Sequence, residues 1–194
     1  MSRTKEFDRD VALSGAIEVF SEHGFEGTSC EALVHAMGIG RQSLYDTFGD
    51  KRKLYVAALE RYTSDSISEQ FQDLRSKRSA MKGIEAHLRG AVERTTSTLS
   101  PKCLGISAIC EFGRSDSEIS AISDAAGHRL LSLLERCLSE AKAAGEMAQD
   151  VAISDAANFI VATLVGIKIA ARAGASPEAL KSIARMALRS LQKA

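Results

Sequence analysis

Apolar residues recur along this chain at intervals of three and four, and no stretch alternates with period two. That is the period of helices with one buried face, not of strands. The pattern predicts an all-α fold of about nine helices. The first runs from about Asp8 to His23, with Leu13, Ile17 and Phe20 inward and Gly24 as its stop. The second opens at Thr28, where Thr28-Ser29-Cys30-Glu31 has capping-box form, and ends at Gly38. A short third helix, Arg41 to Phe48, turns Leu44 and Phe48 inward and ends at Gly49. Asp50 caps a long fourth helix, Lys51 to Arg75. Further helices follow at Met81 to Thr98, Pro101 to Arg114, Asp116 to Ala144 and Ser154 to Ala173, and a last one starts at Pro177. Pro101 and Pro177 each follow a serine and suit the first position of a helix.

Composition narrows the function without naming it. The 25 cationic and 25 anionic residues cancel, which argues against a protein that coats nucleic acid nonspecifically but leaves room for a local phosphate-binding cluster. Ile160 to Ala171 is the most apolar run, and Lys168 interrupts it, so no membrane span is expected. Met1 to Asp10 is polar, and the four cysteines form no framework, which points to a reducing cytoplasm. The four histidines have no ligand spacing with each other or with the cysteines, so no metal and no cofactor are expected. No catalytic motif is present, and an enzyme is not expected.

The second and third helices, joined by Gly38-Ile39-Gly40, have helix-turn-helix proportions. Leu44 and Phe48 take the core side, leaving Arg41, Gln42, Ser43, Asp46 and Thr47 outward. Arg and Gln suit bidentate contacts to guanine and adenine. The same pattern also suits an αα-corner whose outer face is merely solvated. The run from Gly38 to Lys51, GIGRQSLYDTFGDK, resembles the TetR family pattern G-V-S-x-x-x-L-Y-x-H-F-x-S/D-K, and Ala16 to Thr28 resembles that family's first helix and its exit.

The resemblance implies a DNA-binding domain at residues 1–54 and a ligand-binding and dimerisation domain at 55–194. It implies phosphate contacts from Thr28, Tyr45 and Lys51, and base-facing positions for Gln42 and Ser43. Arg41 stands to read a base or grip a phosphate. Gly40 replaces the usual capping Ser or Thr, and Thr47 replaces the usual His, though its hydroxyl still suits a phosphate. Asp46 stands to accept from a cytosine amine, to repel wrong sequences or, as the plainest reading, to pair with Arg41 or Arg52.

The same resemblance implies a homodimer on double-stranded operator DNA, released by a small-molecule effector. The helix at 154–173 is apolar nearly all round, with a small-residue stripe at Ala162, Gly166 and Ala170. Those residues, with Ile183 and Leu188 of the last helix, are expected at the dimer interface. Tyr62, His87, Cys103, Cys110, Phe112 and Phe159 are candidates to line an effector pocket, and each also suits plain core. Cys103, near a helix start and beside Lys102, is in addition a candidate electrophile or oxidant sensor.

Overall fold

The computed structural model describes residues 7–96 and 103–192. Its described residues form nine α-helices and no strand: α1 (Arg9–His23), α2 (Cys30–Met37), α3 (Arg41–Phe48), α4 (Lys51–Arg75), α5 (Ala80–Thr96), α6 (Leu104–Phe112), α7 (Ser117–Ala143), α8 (Ile153–Arg172) and α9 (Pro177–Leu191). The all-α expectation and the order of helices hold. Two starts move. Ser29, not Thr28, caps α2, its hydroxyl accepting the Ala32 N–H at 3.1 Å. Cys103 is the N-cap of α6 rather than a residue within it, and the expected start at Ser100-Pro101 lies outside the described residues.

The chain divides into two compact units. The first holds α1 to α3, α4 through Ser64, α6, and α7 through Ser123. The second holds the rest of α4 and α7 with α5, α8 and α9. The expected division after residue 54 had left α6 and the start of α7 with the second part; packing places them with the first. Both α4 and α7 are continuous helices that contribute to each unit.

In the first unit Leu13 and Phe20 of α1 and Leu44 and Phe48 of α3, anticipated from periodicity, form one core with Ala16 of α1, Leu33 and Met37 of α2, and Leu54, Tyr55, Ala58 and Leu59 of α4, while Ile17, also expected inward, is only partly buried against it. Each fully buried Leu or Phe contributes about 1.5–3 kcal/mol. Ile39 is buried in the α2–α3 turn and fixes its angle. Gly15 lets α1 touch the α2 backbone, since a Cβ there would stand 2.4 Å from the Ala36 carbonyl oxygen. An aromatic cluster of Phe20, Phe25, Tyr55 and Phe112 joins α6 to this core, with Phe20–Tyr55 centroids 4.9 Å apart, edge to face.

Polar contacts reinforce the joint. Phe25 N–H donates to Glu111 Oε2 at 2.8 Å and Glu26 N–H to Glu111 Oε1 at 3.2 Å. One carboxylate of α6 thus satisfies two amides of the α1–α2 turn. Arg52 forks to Asp116 at 2.7 Å and Glu118 at 2.6 Å, tying α4 to the start of α7. That bond holds the Asp116 carboxyl below its ordinary range.

The second unit packs Leu88 of α5, Leu134 and Leu138 of α7, Ile160, Leu164 and Ile167 of α8, and Leu180 and Ala187 of α9 into a separate core. Glu146 caps α5, accepting the Ser79 hydroxyl at 2.8 Å and the Met81 N–H at 3.1 Å, where a carboxylate suits the positive end of a helix.

Gly24 carries the tightest local demand. Its φ is 71° and ψ is −172°, a region open essentially to glycine, and a Cβ would sit 2.5 Å from Glu111 Oε1. Gly24→Ala is therefore expected to lower the unfolding free energy by about 2–4 kcal/mol, read by urea denaturation, with most of the loss persisting in a Glu111→Ala background because the backbone strain remains. A loss under about 0.5 kcal/mol would contradict the turn geometry.

Candidate nucleic-acid interface

Eight residues make a helix too short to be stable alone, so α3 takes its orientation from Leu44 and Phe48, which are buried in the first unit's core. Gly40 starts it with no side-chain cap, as its glycine implied. The opposite face carries Arg41, Gln42, Tyr45, Asp46 and Thr47, all exposed, with Ser43 half-buried beside them. Five of these six can donate to phosphates or base edges in a major groove, and Asp46, which only accepts, is the acidic exception. The Asp46 carboxylate accepts from Gln42 Nε2 at 2.8 Å. Its partner is therefore Gln42, not Arg41 or Arg52, because residues four apart share a helix face and Arg52 is held by Asp116 and Glu118.

Tyr45 stands with its hydroxyl 3.8 Å from Cys30 Sγ at the start of α2. That contact with Cys30 pushes its phenol up; a phenol is protonated at neutral pH in any case, so Tyr45 can donate its proton. Lys51, the first residue of α4, holds its Nζ 4.5 Å from the centroid of the Phe25 ring, a cation–π contact that positions the ammonium beside a helix N-terminus. Thr28 differs from its expected phosphate role: it is buried, and its hydroxyl donates to the Gly24 carbonyl, closing the α1–α2 turn. The exposed hydroxyl at the start of α2 belongs to Ser29.

Of the six pocket candidates, Tyr62, Cys103, Cys110 and Phe112 belong to the first unit and His87 and Phe159 to the second. Tyr62 and Cys103 do meet, the phenol donating to Cys103 Sγ at 3.2 Å, in the first unit. Phe112 belongs to the aromatic cluster, and Cys110 is exposed on α6. His87 is buried in the second unit, its Nδ1 3.5 Å from Asp73. Burial raises the Asp73 carboxyl, but His87 and Arg94 outweigh it and hold the group below its ordinary value. Phe159 is exposed on α8.

The surface around Phe159 is apolar and runs over two helices. On α8, Phe159, Ala162, Gly166 and Ile169 are exposed at spacings of three and four, flanked by Val165; on α9, Ile183 and Met186 are exposed. Ala170 and Leu188 are half-buried at its border. A Cβ on Gly166 would meet nothing within 4 Å, so packing within the protomer does not require that glycine.

A groove of about 740 Å³ lies in the second unit between α4 and α7, lined by Ile67, Ser68, Phe71 and Gln72 on one side and by His128, Arg129, Ser132, Leu133 and Arg136 on the other. None of the six pocket candidates lines it. Phe71 is exposed there. No group of three His, Cys, Asp or Glu residues able to hold a metal ion occurs among the described residues.

Comparison with known proteins agrees with this geometry. Residues 12–58 match the family model described as bacterial regulatory proteins, tetR family. Residues 80–187 match that described as tetracyclin repressor-like, C-terminal domain. The chain is 31% identical over 183 residues to YezE of Bacillus subtilis (strain 168), an HTH-type transcriptional regulator, covering 93% of this chain and 94% of that protein. It is 29% identical over 189 residues to the HTH-type transcriptional repressor ComR of Escherichia coli (strain K12), covering 96% and 90%. Among solved structures, a cysteine mutant of the TetR family regulator CifR, complexed with 26-bp double-strand operator DNA, superposes with a TM-score of 0.82 at 31% identity, covering 98% of this chain and all of that one. With a family model spanning more than half the chain and a helix-turn-helix carrying an exposed polar α3, this protein belongs to the tetR family and is a DNA-binding transcriptional regulator.

Proposed function

We propose that the protein is a homodimeric cytoplasmic repressor that occupies a two-half-site operator and leaves it when a small molecule binds. The observation that carries this reading is α3: an apolar face fixed in the core and an opposite face of exposed polar residues. The structure of CifR with operator DNA and the repressor ComR support it by likeness.

In this reading Arg41, Gln42, Ser43 and Thr47 face the major groove, with Gln42 aimed by its bond to Asp46. Tyr45, Lys51 and Ser29 grip the flanking phosphates, and Thr28 shapes the turn that presents Ser29. Two copies pair through the apolar face of α8 and α9, where Gly166 and Ala162 permit close helix approach and Phe159, Ile169, Ile183 and Met186 leave water. The effector acts through α4 and α7, the helices that contribute to both units. A ligand that favours one arrangement of those helices shifts the population of DNA-competent dimers.

A second reading concerns covalent sensing, and the Tyr62 hydroxyl bonded to Cys103 Sγ favours it. On that reading, mild quinone or hypochlorite treatment modifies Cys103, detected by mass spectrometry, and lowers operator affinity. An unmodified Cys103 with unchanged DNA binding would remove it.

Fluorescence anisotropy on the duplex upstream of the protein's own gene tests the DNA-binding reading. Lys51→Ala is expected to weaken binding to all duplexes and to reduce the salt slope by about one, while Gln42→Ala costs about 1–3 kcal/mol and relaxes the preference at a single base position. Equal effects of both variants on specific and scrambled duplexes would contradict the assigned roles. For the dimer, Gly166→Leu is expected to weaken association at least about tenfold without changing helix content, because the larger side chain has room in the protomer but not between protomers. Light scattering after gel filtration reads this; a dimer of unchanged affinity would place the interface elsewhere.

A further inference from the structure

The α4–α7 groove has one-sided chemistry. Its walls combine an apolar base with cations and contain no carboxylate. Ile67, Phe71 and Leu133 supply the apolar surface. Arg129 and Arg136 lie two turns apart along α7, so both guanidiniums rim the same wall, and His128 adjoins them. Neither arginine has a carboxylate within 4.0 Å among the described residues. By contrast, Arg75, the neighbouring cation on α4, is bonded to Glu140 at 3.5 Å, and its guanidinium lies 6.0 Å from the Phe71 ring centroid. The other acidic residues of these segments, Asp65, Glu69, Asp73, Asp124 and Glu135, are outside the lining.

Two features mark the groove as a binding site rather than a solvated crease. Phe71 leaves 46% of its surface in water, although it sits in a helix whose neighbour Leu74 is almost wholly buried. A large exposed ring beside unpaired guanidiniums suits a ligand that is apolar at one end and anionic at the other. The volume, about 740 Å³, is that of a small-molecule site.

We propose that this groove binds an amphipathic organic anion, a carboxylate or sulfonate on a ring-containing apolar body. The anionic oxygens bond to Arg129 and Arg136, and the apolar body covers Phe71, Ile67 and Leu133. The site stands on its own geometry. That its occupant is the effector rests on the regulatory reading given above.

Two probes separate the contributions: 8-anilinonaphthalene-1-sulfonate and its uncharged counterpart N-phenyl-1-naphthylamine, each titrated by fluorescence into the intact protein. The sulfonate is expected to bind saturably, one per chain, about tenfold or more tighter than the uncharged compound, the margin two charge-assisted hydrogen bonds supply. In the double variant Arg129→Gln/Arg136→Gln that preference should vanish while the uncharged probe binds as before. Phe71→Ser should weaken both. All three positions are exposed, and circular dichroism verifies that the variants remain folded. Sulfonate binding that is absent, or that is indifferent to the arginine pair, overturns the proposal. Anisotropy of the DNA complex then judges the effector role separately. Arginine-dependent binding without release keeps the site and removes its regulatory role. Release by another small molecule, without binding here, removes the effector role of this site and leaves the regulatory reading intact.

Discussion

An eight-residue helix does not persist in water on its own, yet α3 must hold its outer face still enough to read bases. The burial of Leu44 and Phe48 makes this possible. Everything around them in the first unit serves to keep that socket in shape. Leu33 and Met37 form one wall, Leu54 and Tyr55 another, and Ile39 closes the turn. Arg9 lies 5.3 Å from the centroid of the Phe48 ring, extending the contact to the start of α1. Loss of this packing would leave the polar face of α3 present in sequence and absent in space.

The socket is also where α6 and the start of α7 attach. α6 and the start of α7 are built into the first unit by Phe112, by the Glu111 carboxylate on the α1–α2 turn and by the Arg52 fork to Asp116 and Glu118. These attachments touch the elements that flank α3: the turn before α2 and the first turn of α4. Any displacement of α6 or α7 therefore bears on the walls of the socket through directional bonds, not through loose apolar contact. Because α4 and α7 continue into the second unit, a ligand on their distal portions has covalent routes to those bonds.

The helices and the helix-turn-helix were legible because they rest on local signals. Periodicity gave Leu13, Phe20, Leu44 and Phe48, and glycines at positive φ mark the ends at Gly24, Gly38, Gly49 and Gly145. Most of what was missed is non-local. Glu111 meets Phe25 across 86 residues, and nothing in α6 distinguishes that glutamate from a solvated one. The Arg52 fork and the α4–α7 groove likewise exist only after the chain has packed. The confusion of Thr28 with Ser29 is different: either hydroxyl suits an N-cap, and only the tight turn at Gly24, which buries Thr28, decides between them. Asp46 bonding to Gln42 was within reach of the four-residue spacing; attention to charge favoured an arginine partner instead.

The central requirement is that a pair of α3 helices reads a defined sequence. Selection of bound duplexes from a random pool by the purified full-length protein, at physiological salt, addresses that directly. The predicted result is an enriched inverted repeat whose half-sites are about one helical turn or somewhat more apart, bound by dimers. A pool that returns no enriched sequence after repeated rounds, or only salt-sensitive binding indifferent to sequence, would contradict it.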